Sequence, residues 1–225
     1  PDFSGKMKYE SRYLFEKHLA IANFTANESK YYALTENDFM EVVNQFRGRL
    51  DTVLVMYITN RPMGSNYFMQ QESLSNLYLT ATLIEDYQMK HSMYTNDSKF
   101  TASDSFLLTT KKLSVNDTVA VANSDFYAFL EARVNRVTGS PENYKSVFNR
   151  ITFIDSTFTV SDYKDYLFFT STRKVAKWKN TEDRTEILDS LISRVSDADI
   201  KRFLIQNIQN DTATPVATEN INSSL

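Results

Sequence analysis

The sequence predicts an α+β fold: an N-terminal three-helix unit with a long antiparallel helix pair, a central small antiparallel sheet with inserted helices, and C-terminal helices. Three observations predict it. Apolar residues recur every three or four positions over residues 36–59 and 66–91. Strand-favouring residue types crowd residues 151–178. Two capped, apolar-periodic segments then close the chain.

A first helix is expected over residues 6–24, where Met7, Leu14, His18 and Ile21 fall on one face. Thr35 with Asp38 reads as a capping arrangement for the second helix. That helix carries Phe39, Val42, Phe46, Leu50, Val53 and Tyr57 on one side. It ends before Arg61-Pro62, because the residue before a proline is pushed out of the helical region, and Gly64-Ser65 completes the break. The third helix, residues 66–91, shows Gln70, Leu74, Leu77, Ala81, Ile84 and Gln88 on one face, widened by Met69, Leu83 and Tyr87. The short joint between the long helices makes them antiparallel.

Beyond Lys90 the pattern changes. Tyr94 to Ser105 reads as a polar loop, and Phe106–Thr110 and Thr118–Val121 read as short strands around Asn116-Asp117. Ser124 and Asp125 cap a helix carrying Phe126, Phe129, Leu130 and Val134, which Gly139 terminates. Ser140-Pro141 opens a short helix with Tyr144, Val147 and Phe148 on its apolar side. Ile151, Phe153, Thr157, Phe158 and Val160 make one expected strand. Tyr163 to Thr172 makes another, extended by Val175 to Trp178, with Ser161-Asp162 as the turn between the two. Thr181 caps a helix with Ile187, Leu188, Leu191 and Val195; Ser196 with Asp199 caps the last, with Ile200, Phe203, Leu204 and Ile208. The expected organisation is a helical unit over residues 1–95, an α+β region over 96–209 (separate, or one domain with the first), and a polar tail over 210–225.

Composition narrows the chemistry. The net charge is −3, from 25 basic and 28 acidic residues, which opposes a nucleic-acid binder. With four glycines among 225 residues the chain has few places for a phosphate-cradling loop. Neither G-x-x-x-x-G-K-[ST] nor G-x-G-x-x-G occurs. The absence of cysteine removes disulfides and thiolate metal sites. No apolar run is long enough for a membrane span, and Pro1 to Gly5 does not open a signal peptide. Pro1 fits removal of an initiator Met, or equally a processed chain. The compartment is not fixed by these features; the cytoplasm or a virion is the guess.

Few residues invite a site. His18 and His91 are the two histidines, and Glu10 and Glu16 flank the first. A carboxylate-bridged metal needs Glu-x-x-His pairs from several helices, so His18 reads as a partly buried helix-face residue. Asp155, Asp162 and Asp165 could hold calcium but lack the loop spacing, and turn chemistry explains them better. Gly64-Ser65-Asn66 lacks the nucleophile-elbow frame. Gly48, between Arg47 and Arg49, reads as a close-packing glycine inside a helix, or else as a contact point with a partner. The basic run Arg173, Lys174, Lys177, Trp178, Lys179 and Arg184 could stack and bind phosphates, though a solvated chain end looks the same. Six N-x-[ST] sequons occur, at Asn23, Asn27, Asn96, Asn116, Asn210 and Asn222; about half that number is expected from composition alone, and use of any requires a secretory context.

These readings imply no catalytic, cofactor-binding or metal residue. The expected function is a non-enzymatic structural or interaction subunit of a multi-protein assembly, a viral or phage particle component being one form. Its partners are other protein subunits in an oligomer or hetero-assembly. A ligand-binding module with Tyr163, Tyr166, Arg173 and Trp178 around a pocket comes second. An enzyme whose site forms only in three dimensions comes third.

Overall fold

The structure, a computed structural model, describes residues 8–60, 66–178 and 184–213, with side chains through 208. Of the described residues, 79% are helical and none lies in a strand. The fold is all-α, and the expected central sheet does not form. Contacts divide the chain into two compact units, residues 1–140 and 141–225.

The first unit contains α1 (Lys8–Ala26), α2 (Glu28–Tyr32), α3 (Glu36–Asn60), α4 (Asn66–Thr95), α5 (Leu108–Lys111) and α6 (Ser124–Thr138). The cap of α3 forms as the sequence predicts: Thr35 Oγ1 donates to Asp38 Oδ2 at 2.7 Å and accepts the Asp38 amide at 3.4 Å. Phe39, Val43, Phe46, Leu50, Leu54 and Tyr57 are the buried side of α3. Along α3 and α4 the partners run in opposite order: Phe39 meets Tyr87, Asp51 meets Asn76, and Tyr57 meets Phe68. The pair is therefore antiparallel; the joint at Arg61 to Ser65, Pro62 included, lies outside the described residues.

The face of α1 differs from the expectation. It buries Glu10, Tyr13, Lys17, Ala20 and Phe24, while Leu14 and His18 are exposed. Met7 lies outside the described residues. Apolar spacing misleads here because two charged residues occupy the inward stripe, where each has a polar partner.

α4 is covered on several sides, burying Ser75, Asn76, Tyr78, Thr80, Ala81, Ile84, Glu85 and Tyr87. It ends at Asn96, whose φ of 58° is the left-handed conformation that commonly follows a helix. Residues 96–123 then return along α4. Phe106 packs on Tyr87 with ring centroids 4.7 Å apart, Asp117 accepts from the Tyr78 hydroxyl at 2.8 Å, and the Asn123 amide donates to the Gln71 carbonyl at 2.9 Å. The expected strands in this stretch are instead a turn leading into α5 and a 3₁₀ turn, Thr118–Ala120, capped by Asp117. Both segments are too short to repeat a sheet pattern, and Phe106 and Leu107 go straight into the core. α6 runs parallel to α4, with Asp125 against Ser75, Phe129 near Tyr78 and Arg133 against Glu85. Its cap is Asn123, which accepts the Asp125 and Phe126 amides, rather than the expected Ser124 and Asp125; Gly139 closes it as expected.

The second unit contains α7 (Tyr144–Thr157), α8 (Ser161–Val175), α9 (Arg184–Ser193) and α10 (Ala198–Ala213). α8 touches each of the other three. Residues 151–178, expected as strands, are the second half of α7, all of α8 and the turn after it. Burial follows the helical period: Val147, Ile151 and Ile154 on α7; Tyr163, Leu167, Ser171 and Val175 on α8. Strand propensity is worth only tenths of a kcal/mol per residue, and such burial overrides it. Buried hydroxyls are satisfied within the helix, Ser171 Oγ donating to the Leu167 carbonyl at 2.6 Å and Thr172 Oγ1 to Phe168 at 2.8 Å. Asn143 and Ser146 form a reciprocal capping box that starts α7. Asp197, not Ser196, caps α10, accepting the Asp199 and Ile200 amides. The expected Thr181 cap lies outside the described residues.

Gly48 is exposed on α3, and a Cβ there would meet nothing within 4 Å. Close packing therefore does not account for it. Gly48→Ala should stabilise the protein by about 0.5–1 kcal/mol, by restricting the unfolded chain and favouring the helix. Urea denaturation measures this, and a loss of stability would contradict the open surroundings.

Candidate functional site

The polar side chains that could carry chemistry lie mostly inside the first unit. At one end, Lys17 on α1 sends its ammonium to Glu72 Oε2 at 2.7 Å and Ser75 Oγ at 2.6 Å. Tyr13 donates to the same Glu72 oxygen at 2.8 Å, and the Ser75 hydroxyl donates to the Asp125 carboxylate. A serine beside a lysine resembles a nucleophile with its base. Here the lysine is held in an ion pair, and the serine both accepts from it and donates to Asp125. The cluster joins α1, α4 and α6, with the serine hydroxyl bonded on both sides.

Farther along α4, Glu85 is 1% exposed. Arg133 Nε donates to its Oε1 at 2.7 Å and Arg136 Nε to its Oε2 at 2.5 Å. Arg133 also donates to the Thr110 carbonyl at 2.5 Å and lies 5.0 Å from the Phe129 ring centroid. Both carboxylate oxygens are occupied, so the triad ties α6 and the 96–123 connection to α4. None of these residues stood out in the sequence. The available signal was a charge falling on an otherwise inward helical stripe, as Lys17 and Glu85 do.

The residues that the sequence did single out are not gathered. His18 and Glu16 are exposed, and Glu10 is buried, accepting from the Tyr57 hydroxyl at 3.4 Å. His91 Nδ1 lies 2.8 Å from the Tyr32 carbonyl, its ring against Phe100. Asp165 is capped by Ser196 and the Asp197 amide, and Asp155 pairs with Arg194 at 3.2 Å. No group of three or more His, Asp or Glu among the described residues is placed to hold a metal ion. Trp178 Nε1 donates to the Pro141 carbonyl at 3.1 Å, Arg184 donates to the Trp178 carbonyl, and Arg173 lies over Phe169. Tyr163 is fully buried. Trp178 and Arg184 of the basic run, and Tyr163 of the expected pocket lining, are thus engaged within the second unit, while Arg173 and Lys177 are exposed; Lys179 lies outside the described residues. Among the sequons, Asn23 is exposed, Asn96 sits in the left-handed turn, and the Asn27 amide donates to the Asn23 carbonyl. Gly64, Ser65, Asn222 and the side chain of Asn210 lie outside the described residues.

Accessible apolar surface occurs instead between α1 and α3. A groove of about 240 Å³ is lined by Tyr9, Arg12, Glu16, Val53, Met56 and Asn60, with Tyr13 and Tyr57 at its floor. The same interhelical seam continues to a second recess of about 230 Å³ near Asn23, Val42, Gln45 and Arg49. No described helix is long and apolar enough to cross a membrane. Compared with protein-family models, curated proteins and solved structures, the chain matches none.

Two predictions follow from the polar clusters. Glu85→Ala strands two arginines in a buried site and should cost about 3–5 kcal/mol, whereas replacing Glu85, Arg133 and Arg136 together by Met or Leu should cost far less; urea midpoints of the two variants test this. Burial, with Glu36 and Asp38 adding to it, pushes the Tyr87 phenol up to about 12, and burial raises Tyr13 and Tyr32 as well. A phenol whose folded pKa is raised contributes stability that is complete below the unfolded value of about 10 and lost as pH rises through the folded value. Stability should therefore fall between about pH 10 and 12, with phenolate absorbance from these rings appearing only as the chain unfolds. Tyr87→Phe should flatten that slope while losing the 2.6 Å bond to the Leu34 carbonyl.

Proposed function

We propose that the chain is a structural or interaction subunit of a multi-protein assembly, working by presenting helix faces to neighbouring subunits. The observation that carries this reading is the contrast inside the first unit. Its charged and hydroxylated clusters are consumed in joining helices, while the α1–α3 seam leaves apolar and charged side chains open along its length. Tyr9 of α1 and Met56 of α3, which line the seam, are 37% and 56% exposed, and Leu19 at 47% lies beside them on the outer side of α1. Large exposed apolar side chains set in one stripe and edged by charge are what protein interfaces present before their partner arrives. Particle components of the viral or phage kind belong to this class of protein.

The test is the solution mass of the purified chain by light scattering over about a hundredfold range of concentration. A mass that rises above the monomer with concentration is the expected outcome. A monomer throughout would overturn self-assembly as the basis of the reading.

A further inference from the structure

The exposed side of α1 has a symmetry that names its occupant. Tyr9, Arg12, Glu16 and Leu19 are spaced three, four and three residues apart, so they form one stripe along the helix. All four are exposed. The stripe reads apolar, cation, anion, apolar. Reversing its direction returns the same apolar ends with the two charges exchanged. An antiparallel second copy of α1, related by a two-fold axis at the level of residue 14 but on the side of the helix away from the Leu14 side chain, therefore sets each Arg12 against the partner subunit's Glu16 and each Tyr9 against the partner subunit's Leu19. Among the described residues neither Arg12 nor Glu16 has an ion-pair partner within the chain.

The neighbouring helix fits the same arrangement. Val53 and Met56 of α3 form the far wall of the groove beside Tyr9, and the groove volume of about 240 Å³ has room for a leucine side chain. The end of the partner's helix that meets Tyr9 carries Leu19. By symmetry each copy seats its Leu19 in the other's groove, as a closed two-fold contact requires.

Resting on the assembly reading above, we propose that this face is a homodimer interface, α1 packing antiparallel on α1 of a second copy with Arg12 and Glu16 as its register-setting pair. The stripe is about 15 Å long on helix geometry. Even with the α3 wall, a surface of this size belongs with transient contacts below about 1,200 Å². The dimer is consequently weak, with dissociation in roughly the micromolar range.

Sedimentation velocity of the full chain, from about 1 µM to 1 mM, decides the matter with four samples: wild type, R12E, E16R and an equimolar mixture of the two variants. Wild type should dimerise with concentration. Each variant alone sets like charges opposite one another and should associate about tenfold more weakly or worse. The mixture should recover association, because R12E and E16R chains complement each other in this register and in this orientation. Circular dichroism checks that these exposed substitutions leave the helices intact. If wild type dimerises but neither variant weakens it, or if the mixture fails to recover, the interface is overturned while the assembly reading stands on another face. If wild type stays monomeric at every concentration, the homodimer falls, and with it self-assembly as the basis of the assembly reading. Leu19→Asp, outside the charge pair, should also abolish the dimer; its retention would overturn the seating of Leu19.

Discussion

The carboxylate of Glu85 is the fixed point of the first unit. A helix covered on several sides cannot send its polar side chains to water, so each must find a partner inside or be replaced. Glu85 is met by two guanidinium groups from one neighbouring helix, and one of these also holds the carbonyl of Thr110. That single arrangement sets the rotation of α6 on α4, its register, and the position of the connection between them. The Lys17 cluster does the same work for α1. Apolar packing supplies most of the driving force, but it tolerates slippage. Paired charges in an apolar surround do not, since a shift of one turn would leave them unmatched.

Aromatic density complements these polar ties. Tyr32, Phe39, Tyr87 and Phe106 form a continuous cluster joining α2, α3, α4 and the returning connection, Phe39 and Tyr87 having centroids 4.6 Å apart. The hydroxyls of both buried tyrosines reach backbone carbonyls. Rings with one polar tip can thus fill a core between helices and still satisfy their oxygens.

Much of the first unit was legible. The long helices α3 and α4 follow from apolar spacing and a cap at Thr35, because exposed and buried sides alternate clearly there. The inward face of α1 was not legible, since Glu10 and Lys17 look like surface residues until their partners are known. Residues 151–178 differ from the sequence expectation for another reason. Ile, Phe, Thr and Val favour strands on average, but here they recur at helical intervals, and Ser171 and Thr172 bury their hydroxyls by bonding one turn back. Intrinsic preference and periodicity disagreed, and periodicity described the burial. The groove between α1 and α3 was hidden for a further reason: its walls come from helices whose relative rotation no single stretch of sequence specifies.

The parallel course of α4 and α6 also governs the order in which the molecule can be made. Parallel neighbours cannot be joined by a tight hairpin, so the chain spends residues 96–123 travelling back along α4 before α6 can begin. During synthesis α1 to α4 emerge first. Until α6 follows, Tyr78, Ser75 and Glu85 face water with none of the α6 partners they acquire later. The four helices made first therefore leave a vacancy on α4, part apolar and part acidic, that α6 of the same chain fills. Assembly of the unit is consequently a late docking step across a long loop, slower than the local pairing of α3 with α4.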